Sequence, residues 1–174
     1  MGDPDAPPLQ ARELFQLLGR HGVRYVVVGG LAATVHGAGR ATFDIDLVPE
    51  WTSANLEHLA EALRAAHARL RVPGSAEPVA YPIDERSLRG FEVSTWRTDH
   101  GDVDVIVGTP TADRQHLARY EDLAARAQSR EAFGVTIQVA DLGDVIESKQ
   151  ALARDPDLAA LPELHRLWDR LHRS

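Results

Sequence analysis

Short apolar runs alternate with amphipathic stretches along most of the chain. Apolar side chains recur at helical spacing in some segments, and continuous or alternating apolar runs of strand length occupy others. The pattern predicts helices over residues 9–20, 31–36, 53–70, 112–128, 142–153 and 156–172, and strands over 24–28, 43–48, 91–97, 102–107 and 133–140. This order predicts a mixed α/β domain whose C-terminal end is helical.

Glycine and proline mark the connections between these elements. Residues 71–90 contain Pro73, Gly74, Pro78 and Pro82 without a clear period, which predicts a long loop with one short strand. The short turn over 98–101 predicts an antiparallel strand pair. Pro162 is expected to kink or restart the last helix. We expect a loose arm at residues 1–8, a core at 9–140 and a helical segment at 141–174 packed on the core.

Composition narrows the class of protein. A chain of 174 residues with 26% charged side chains suits one globular domain. It contains no run of about 18 apolar residues, so we expect no membrane span. The absence of cysteine excludes disulfides and thiolate metal sites and favours a cytoplasmic location. The net charge of −7 excludes a protein that is basic overall, so any nucleic-acid surface must be local.

The segment over residues 25–47 combines two kinds of chemistry. A strand ends at Gly29-Gly30, where a following helix can expose backbone N–H groups to phosphate. Asp44 and Asp46 then alternate along the next strand, so their carboxylates face the same side. Paired carboxylate oxygens suit Mg²⁺, which in turn binds nucleotide phosphates. An exposed acidic edge strand is the alternative interpretation.

A second aspartate pair, Asp102 and Asp104, repeats this spacing. Asp102 adjoins the predicted turn and is expected to be solvated, whereas Asp104 is flanked by valines and needs a partner. If the two strands are neighbours, Asp104 completes a cluster of three carboxylates. Such a cluster can hold two Mg²⁺ ions that activate an attacking oxygen and stabilise a leaving pyrophosphate.

Cations are predicted to complete the site. Of 19 basic residues only Lys149 is lysine, and it lies on the inward stripe of its predicted helix. A compact ammonium is not interchangeable with guanidinium, which favours a phosphate-binding role over a lysine that snorkels along the surface. Arg40 is a second candidate phosphate ligand. Asp157 either orients Lys149 or is an ordinary acid in a first helical turn.

The spacing of Gly29-Gly30 and Asp44-Ile-Asp46, with a later strand aspartate, resembles the DNA polymerase β-like nucleotidyltransferase superfamily. The segments RATFDIDL and IESKQALARDPDL resemble its AbiEii/MenT-type branch, known from toxin–antitoxin modules. The likeness spans residues 10–172. It implies a polymerase β-like nucleotidyltransferase core and the transfer of a nucleoside monophosphate from an NTP to an acceptor hydroxyl, with two Mg²⁺ ions and loss of pyrophosphate.

The resemblance assigns roles by position. Gly29, Gly30, Lys149 and Asp157 would serve the nucleotide, together with Arg40, and the aspartates Asp44, Asp46 and Asp104 would hold the metals. Many members have Gly-Ser where this chain has Gly29-Gly30, so backbone N–H groups must supply more of the phosphate contact.

The acceptor stays open. The branch implies the 3′ end of tRNA or another RNA, with a cognate antitoxin as a further partner. Local arginines would have to provide the RNA surface, and the candidates around the long loop are Arg64, Arg69, Arg71, Arg86, Arg89 and Arg97. Two alternatives are a small-molecule acceptor, as in aminoglycoside nucleotidyltransferases, and a non-catalytic antitoxin or partner-binding module on the same fold.

Overall fold

The computed structural model describes residues 7–173, so most of the predicted N-terminal arm lies outside the described part. Seven strands form one mixed sheet in the order β3-β4-β5-β2-β1-β9-β8, and β6 and β7 form a separate small hairpin. The strands are β1 (Tyr25–Val28), β2 (Asp44–Pro49), β3 (Arg69–Arg71), β4 (Val93–Thr98), β5 (Gly101–Ile106), β6 (Thr109–Pro110), β7 (Leu117–Ala118), β8 (Gln128–Ala132) and β9 (Val135–Val139).

Helices join and cover these strands. They are α1 (Ala11–Arg20), α2 (Gly29–Val35), α3 (Ser53–Ala65), α4 (Glu85–Arg89), α5 (Tyr120–Ala124), α6 (Leu142–Leu152) and α7 (Asp155–His172). The Asp141 carboxylate accepts a hydrogen bond from the Gly143 N–H at 2.8 Å, which caps α6 after β9. The mixed α/β fold with a helical C-terminal end is confirmed. No helix in the described range 7–173 is long and apolar enough to cross a membrane.

The two faces of the sheet differ in chemistry because side chains alternate along each strand. Ile45, Val103 and Trp96 are paired across β2, β5 and β4 and are buried in the core. On this apolar face the ring of Phe15 in α1 stacks on Tyr25 of β1 with 6.1 Å between the centroids. The opposite face of the same strands carries the aspartates, which leaves that face available for a site.

The predicted helix over residues 112–128 is wrong. The segment instead contains β7, the short helix α5 and the start of β8. The Asp113 carboxylate accepts hydrogen bonds from the backbone N–H groups of Gln115 and His116, which stabilises a turn at the tip of the β6–β7 hairpin. Local side-chain bonding therefore overrides the helical spacing of the apolar residues.

Four smaller predictions also need correction. The helix predicted over 53–70 ends at Ala65, and Arg69–Arg71 form β3. The last strand begins at Val135, because Phe133 and Gly134 have φ values of 54° and 73° and form the tight turn between β8 and β9. The loop over 71–90 contains α4. Pro162 does not restart the last helix, because it lies at an exposed position inside α7, which continues through it.

Candidate active site

The two aspartate pairs lie side by side on parallel strands. β2 and β5 pair in register, with Asp44 opposite Asp102 and Asp46 opposite Asp104. Because alternate residues of a strand share a face, all four carboxylates lie on the polar face of the sheet. The neighbouring strands extend this arrangement into two cross-strand rows. The first row is Asp44, Asp102, Arg97 and Arg69, and the second is Asp46, Asp104, Thr95 and Arg71.

Gly29 lets the end of β1 approach Asp46, the first member of the second row, closely. Its φ of +65° is in the left-handed region, and a Cβ atom there would lie 2.0 Å from Asp46 Oδ2. The next residue, Gly30, donates a backbone hydrogen bond to the Asp46 carboxylate. The glycine pair therefore serves the aspartate directly, because any side chain at Gly29 would collide with it.

Asp46 and Asp104 form an electrostatically uncompensated pair. Burial, followed by repulsion from Asp44 and Asp104, raises the pKa of Asp46 to about 8. Burial is also the main cause that raises the pKa of Asp104, and the side chains of Thr95 and Asp46 partly offset this increase. One buried carboxylate oxygen, Asp104 Oδ1, has no partner. Two neighbouring buried carboxylates that resist ionisation are an arrangement that suits a divalent cation.

Asp44 is held slightly apart. Its Oδ1 lies 3.2 Å from the hydroxyl of Thr42, which points it toward the loop before β2. Within residues 7–173, no group of three or more histidine, cysteine, aspartate or glutamate side chains is arranged to hold a metal ion. The structure thus brings Asp46 and Asp104 together and places Asp44 next to them. Carboxylate chemistry and the partnerless Asp104 Oδ1 nevertheless fit Mg²⁺, which prefers oxygen ligands.

Asp102 has a different environment from its neighbours. Its carboxylate accepts from Arg97 Nε at 3.1 Å and from Arg71 Nη1 at 3.1 Å, and its side chain is only 9% exposed. The expectation of a solvated Asp102 is wrong, because arginines from β3 and β4 reach it across the sheet. This aspartate is already neutralised, so it is unsuited to bind a cation.

The predicted cations meet at the junction of α6 and α7. Lys149 Nζ lies 3.1 Å from Asp157 Oδ1, and Arg154 Nε lies 2.6 Å from Asp157 Oδ2. Burial of Asp157 opposes its ionisation, but the hydrogen bonds from Arg154 and Lys149 outweigh burial and lower its pKa. Asp157 thus holds both cations through its two oxygens. The fields of Asp46 and Asp104 also act on Arg154.

Arg40 is not among the residues that line the cleft described below. Its guanidinium donates from Nη1 to the carbonyl oxygen of Pro156 at 3.1 Å, and its side chain is exposed. This contact places Arg40 at the start of α7, close to Asp157 but outside the cleft. The structure therefore does not bring Arg40 together with the other predicted phosphate ligands.

A cleft of about 400 Å³ connects the aspartates with the cations. A polar set of residues contributes to its lining, namely Gly29, Gly30, Asp46, Asp104, Lys149 and Arg154. An apolar set lines it as well, namely Val93, Ile106, Pro110, Leu117, Leu123 and Leu152. Val93 and Ile106 are register partners and form the next row beyond Asp104 and Thr95. Along β5 the lining of the cleft therefore changes from polar at Asp104 to apolar at Ile106.

Two residues of this site were not predicted from the sequence. Arg154 stands between the predicted Lys149 and Asp157, and that position was the available signal. Thr95 faces Asp104 from β4, and only the pairing of β4 with β5 reveals it. A lone threonine in a strand carries no signal of its own.

Solved structures share this architecture. A Thermotoga maritima protein assigned to the nucleotidyltransferases superposes with a TM-score of 0.52 at 16% identity, covering 99% of this chain and 100% of that one. The antibiotic-resistance factor ANT(2″)-Ia superposes with a TM-score of 0.53 at 13% identity, covering 91% and 82% of the two chains. No protein-family model and no curated protein matches the sequence. The chain has a nucleotidyltransferase fold, and at these identities the likeness shows the fold alone.

Proposed function

We propose that the protein is a Mg²⁺-dependent nucleotidyltransferase that moves a nucleoside monophosphate from an NTP to an acceptor hydroxyl. The observation that carries this proposal is the cleft in which Asp46 and Asp104 lie beside each other and share a lining with Lys149 and Arg154. The acceptor oxygen forms a bond to the α-phosphorus, the bond from that phosphorus to the bridging oxygen breaks, and pyrophosphate leaves.

Asp46 and Asp104 would hold Mg²⁺, and Asp44 would join them by turning away from Thr42 to complete a site for two ions. When bound, Mg²⁺ lowers the pKa of the attacking hydroxyl and neutralises charge on the leaving pyrophosphate. The Asp104 oxygen without a partner is the group that supports this assignment most directly. A cation there would compensate the charge of the two carboxylates.

Lys149 and Arg154 would bind the triphosphate. Asp157 would act through these two cations, because its oxygens are occupied by them and its side chain is only 4% exposed. Gly29 and Gly30 would provide the backbone surface against which the phosphates lie. Arg40 would reach the phosphates only by leaving the Pro156 carbonyl, so we assign it a lesser role.

The apolar set would receive the nucleoside. Val93, Leu117 and Leu152 are 56%, 39% and 43% exposed, which leaves large apolar side chains facing the cleft. A nucleobase covering them would remove this surface from water, at roughly 25 cal/mol per Å². An NTP whose phosphates lie at Lys149 would extend naturally along the cleft to this set.

The cross-strand rows favour an anionic acceptor. Arg69, Arg71 and Arg97 lie on the same sheet face as Asp104, on the two strands beyond it, and two of them pair with Asp102. Three arginines therefore lie beside the carboxylates in a chain with an overall charge of −7. This arrangement supports an RNA acceptor, and the resemblance to the MenT-type branch suggests the 3′ end of tRNA in a cytoplasmic toxin–antitoxin setting.

A small cationic acceptor is the second candidate. Glu92 and Asp144 line the cleft in addition to the aspartates, and such acids would suit an aminoglycoside. A non-catalytic antitoxin or partner-binding module would not need the close approach of Gly29 to Asp46. We therefore rank catalysis of RNA modification first.

Incubation with each labelled NTP, Mg²⁺ and total RNA tests the proposal. We expect label in RNA with the wild type and none with Asp46→Asn. A matched control is Asp99→Asn, which changes an exposed aspartate that binds His67 outside the cleft. Label in an aminoglycoside instead of RNA would select the second candidate. No transfer to either acceptor would contradict an enzymatic role.

A further inference from the structure

Each of the three predicted metal ligands has a hydrogen-bond donor beside its carboxylate. Thr42 lies 3.2 Å from Asp44 Oδ1, and the Gly30 N–H donates to Asp46. Beside Asp104 lies Thr95, its direct cross-strand partner on β4, whose hydroxyl favours the ionised carboxylate. The third donor differs from the others because it comes from another strand and belongs to no motif of the sequence.

The position of Thr95 determines how Asp104 is presented. The two residues share the polar face, so their side chains project side by side from neighbouring strands. Asp46 on β2 lies on the other side of Asp104, so a donor on β4 leaves the side of β2 to Asp46 and to a ligand. Asp104 Oδ1 is buried and has no hydrogen-bond partner. An unsatisfied buried acceptor costs the folded protein free energy, and a ligand bound to this oxygen would remove that cost.

We propose that Thr95 is a positioning residue that orients Asp104 for the divalent cation, an inference that rests on the proposed Mg²⁺-dependent function. Partners of metal-binding carboxylates typically contribute about 10–100-fold to metal affinity or activity. Thr95→Val keeps the branched shape of the side chain and its strand propensity but removes the donor. Thr95→Ser keeps the donor and removes only a methyl group.

Thr98→Val is the matched control on the same strand. The Thr98 hydroxyl donates to the Gly101 carbonyl at 2.7 Å inside the β4–β5 turn, and the side chain is buried. This substitution therefore removes a threonine hydrogen bond from the same strand pair without touching a predicted metal ligand. Any general weakening of the strand pair would affect Mg²⁺ binding equally in Thr98→Val and Thr95→Val.

Titration calorimetry with MgCl2 alone, without NTP, provides the test, and the Mg²⁺ dependence of transfer gives a second readout. We expect Thr95→Val to raise the Mg²⁺ dissociation constant at least about 10-fold, Thr95→Ser to restore it nearly to the wild-type value, and Thr98→Val to leave it unchanged. Equal affinity in Thr95→Val and the wild type would overturn this inference alone, as would failure of Thr95→Ser to restore binding. A wild type that binds no Mg²⁺ would overturn the proposed function together with it.

Discussion

The pairs Asp44-x-Asp46 on β2 and Asp102-x-Asp104 on β5 have the same spacing, face the same side and lie in register. Their environments are nevertheless different. Asp102 is neutralised by Arg71 and Arg97, whereas Asp46 and Asp104 face each other without a cation and have raised pKa values. The position of the counter-charge, and not the D-x-D spacing, therefore distinguishes a structural aspartate from a candidate metal ligand.

The largest effect on nucleotide transfer is expected at Asp104, the member of the second pair that no arginine neutralises. Asp104→Asn keeps the shape of the side chain but removes the charge that would hold the cation. Loss of a metal that supplies several kcal/mol of transition-state stabilisation should lower nucleotide transfer by about 10³-fold. Single-turnover transfer with labelled NTP measures this rate. Transfer within about threefold of the wild type would show that Asp104 is not part of the catalytic machinery.

Asp102, which the arginines neutralise, should affect folding stability and not Mg²⁺ binding. Asp102→Asn leaves Arg97, whose side chain is 14% exposed, without its carboxylate. Breaking a buried pair costs roughly 3–5 kcal/mol, and we expect about 2 kcal/mol here because Arg71 is 39% exposed and can be hydrated. Denaturant unfolding measures this loss, and Mg²⁺ affinity should stay unchanged. Lost Mg²⁺ binding in a stable Asp102→Asn protein would remove the contrast between the two pairs.

These two variants also show where prediction from the sequence succeeds. Alternation within one strand is local information, so the shared face of Asp44 and Asp46 was predictable, as was the order of most elements. The partners of Asp102 come from β3 and β4, and Arg71 is 31 residues away. The turn over 98–101 predicted the pairing of β4 with β5, but the counter-charge also depends on β3, whose residues were predicted as a helix end and the start of a loop.

The error over residues 112–128 has a similar origin. Helical spacing of Leu117 and Tyr120 is a local signal, but Leu117 pairs with Pro110 and lines the cleft. Tertiary pairing decided the structure of this segment. The contact between Gly29 and Asp46 could not be predicted either, because it depends on the pairing of β1 with β2. Both residues were nevertheless predicted members of the site.

A smaller effect is expected one row further along β5, where the apolar set begins. Val93→Thr keeps the shape but adds a hydroxyl to the surface proposed for the nucleobase, and it should weaken NTP binding by about 1 kcal/mol, or roughly fivefold. Inorganic tripolyphosphate should bind equally to both proteins. Val72→Thr, at an exposed valine outside the cleft lining, is the control. A parallel loss of tripolyphosphate affinity would contradict a separate nucleoside subsite.

The smallest effect concerns pH. Because the pKa of Asp46 is about 8 in the folded protein and 3.8 is its ordinary value, the folded state binds more protons between these values, and its stability should fall as pH rises toward 8. Mg²⁺ should displace the proton of Asp46 and offset this fall. The stabilisation by Mg²⁺ should therefore increase between pH 7.5 and 8.5, by about 0.7 kcal/mol.

Thermal unfolding with and without Mg²⁺ at both pH values measures this difference. Asp46→Asn removes the titrating group, so its unfolding should show no such increase. An increase of the same size in Asp46→Asn would assign the pH dependence to other groups.

The most direct test of the central claim is calorimetric titration of a non-hydrolysable NTP analogue into the wild type, Asp104→Asn and Asp102→Asn, each with and without Mg²⁺. We predict Mg²⁺-dependent binding by the wild type and by Asp102→Asn, and its loss in Asp104→Asn. Binding of the analogue that does not depend on Mg²⁺ would contradict the account. So would binding that is lost in a folded Asp102→Asn protein but kept in Asp104→Asn.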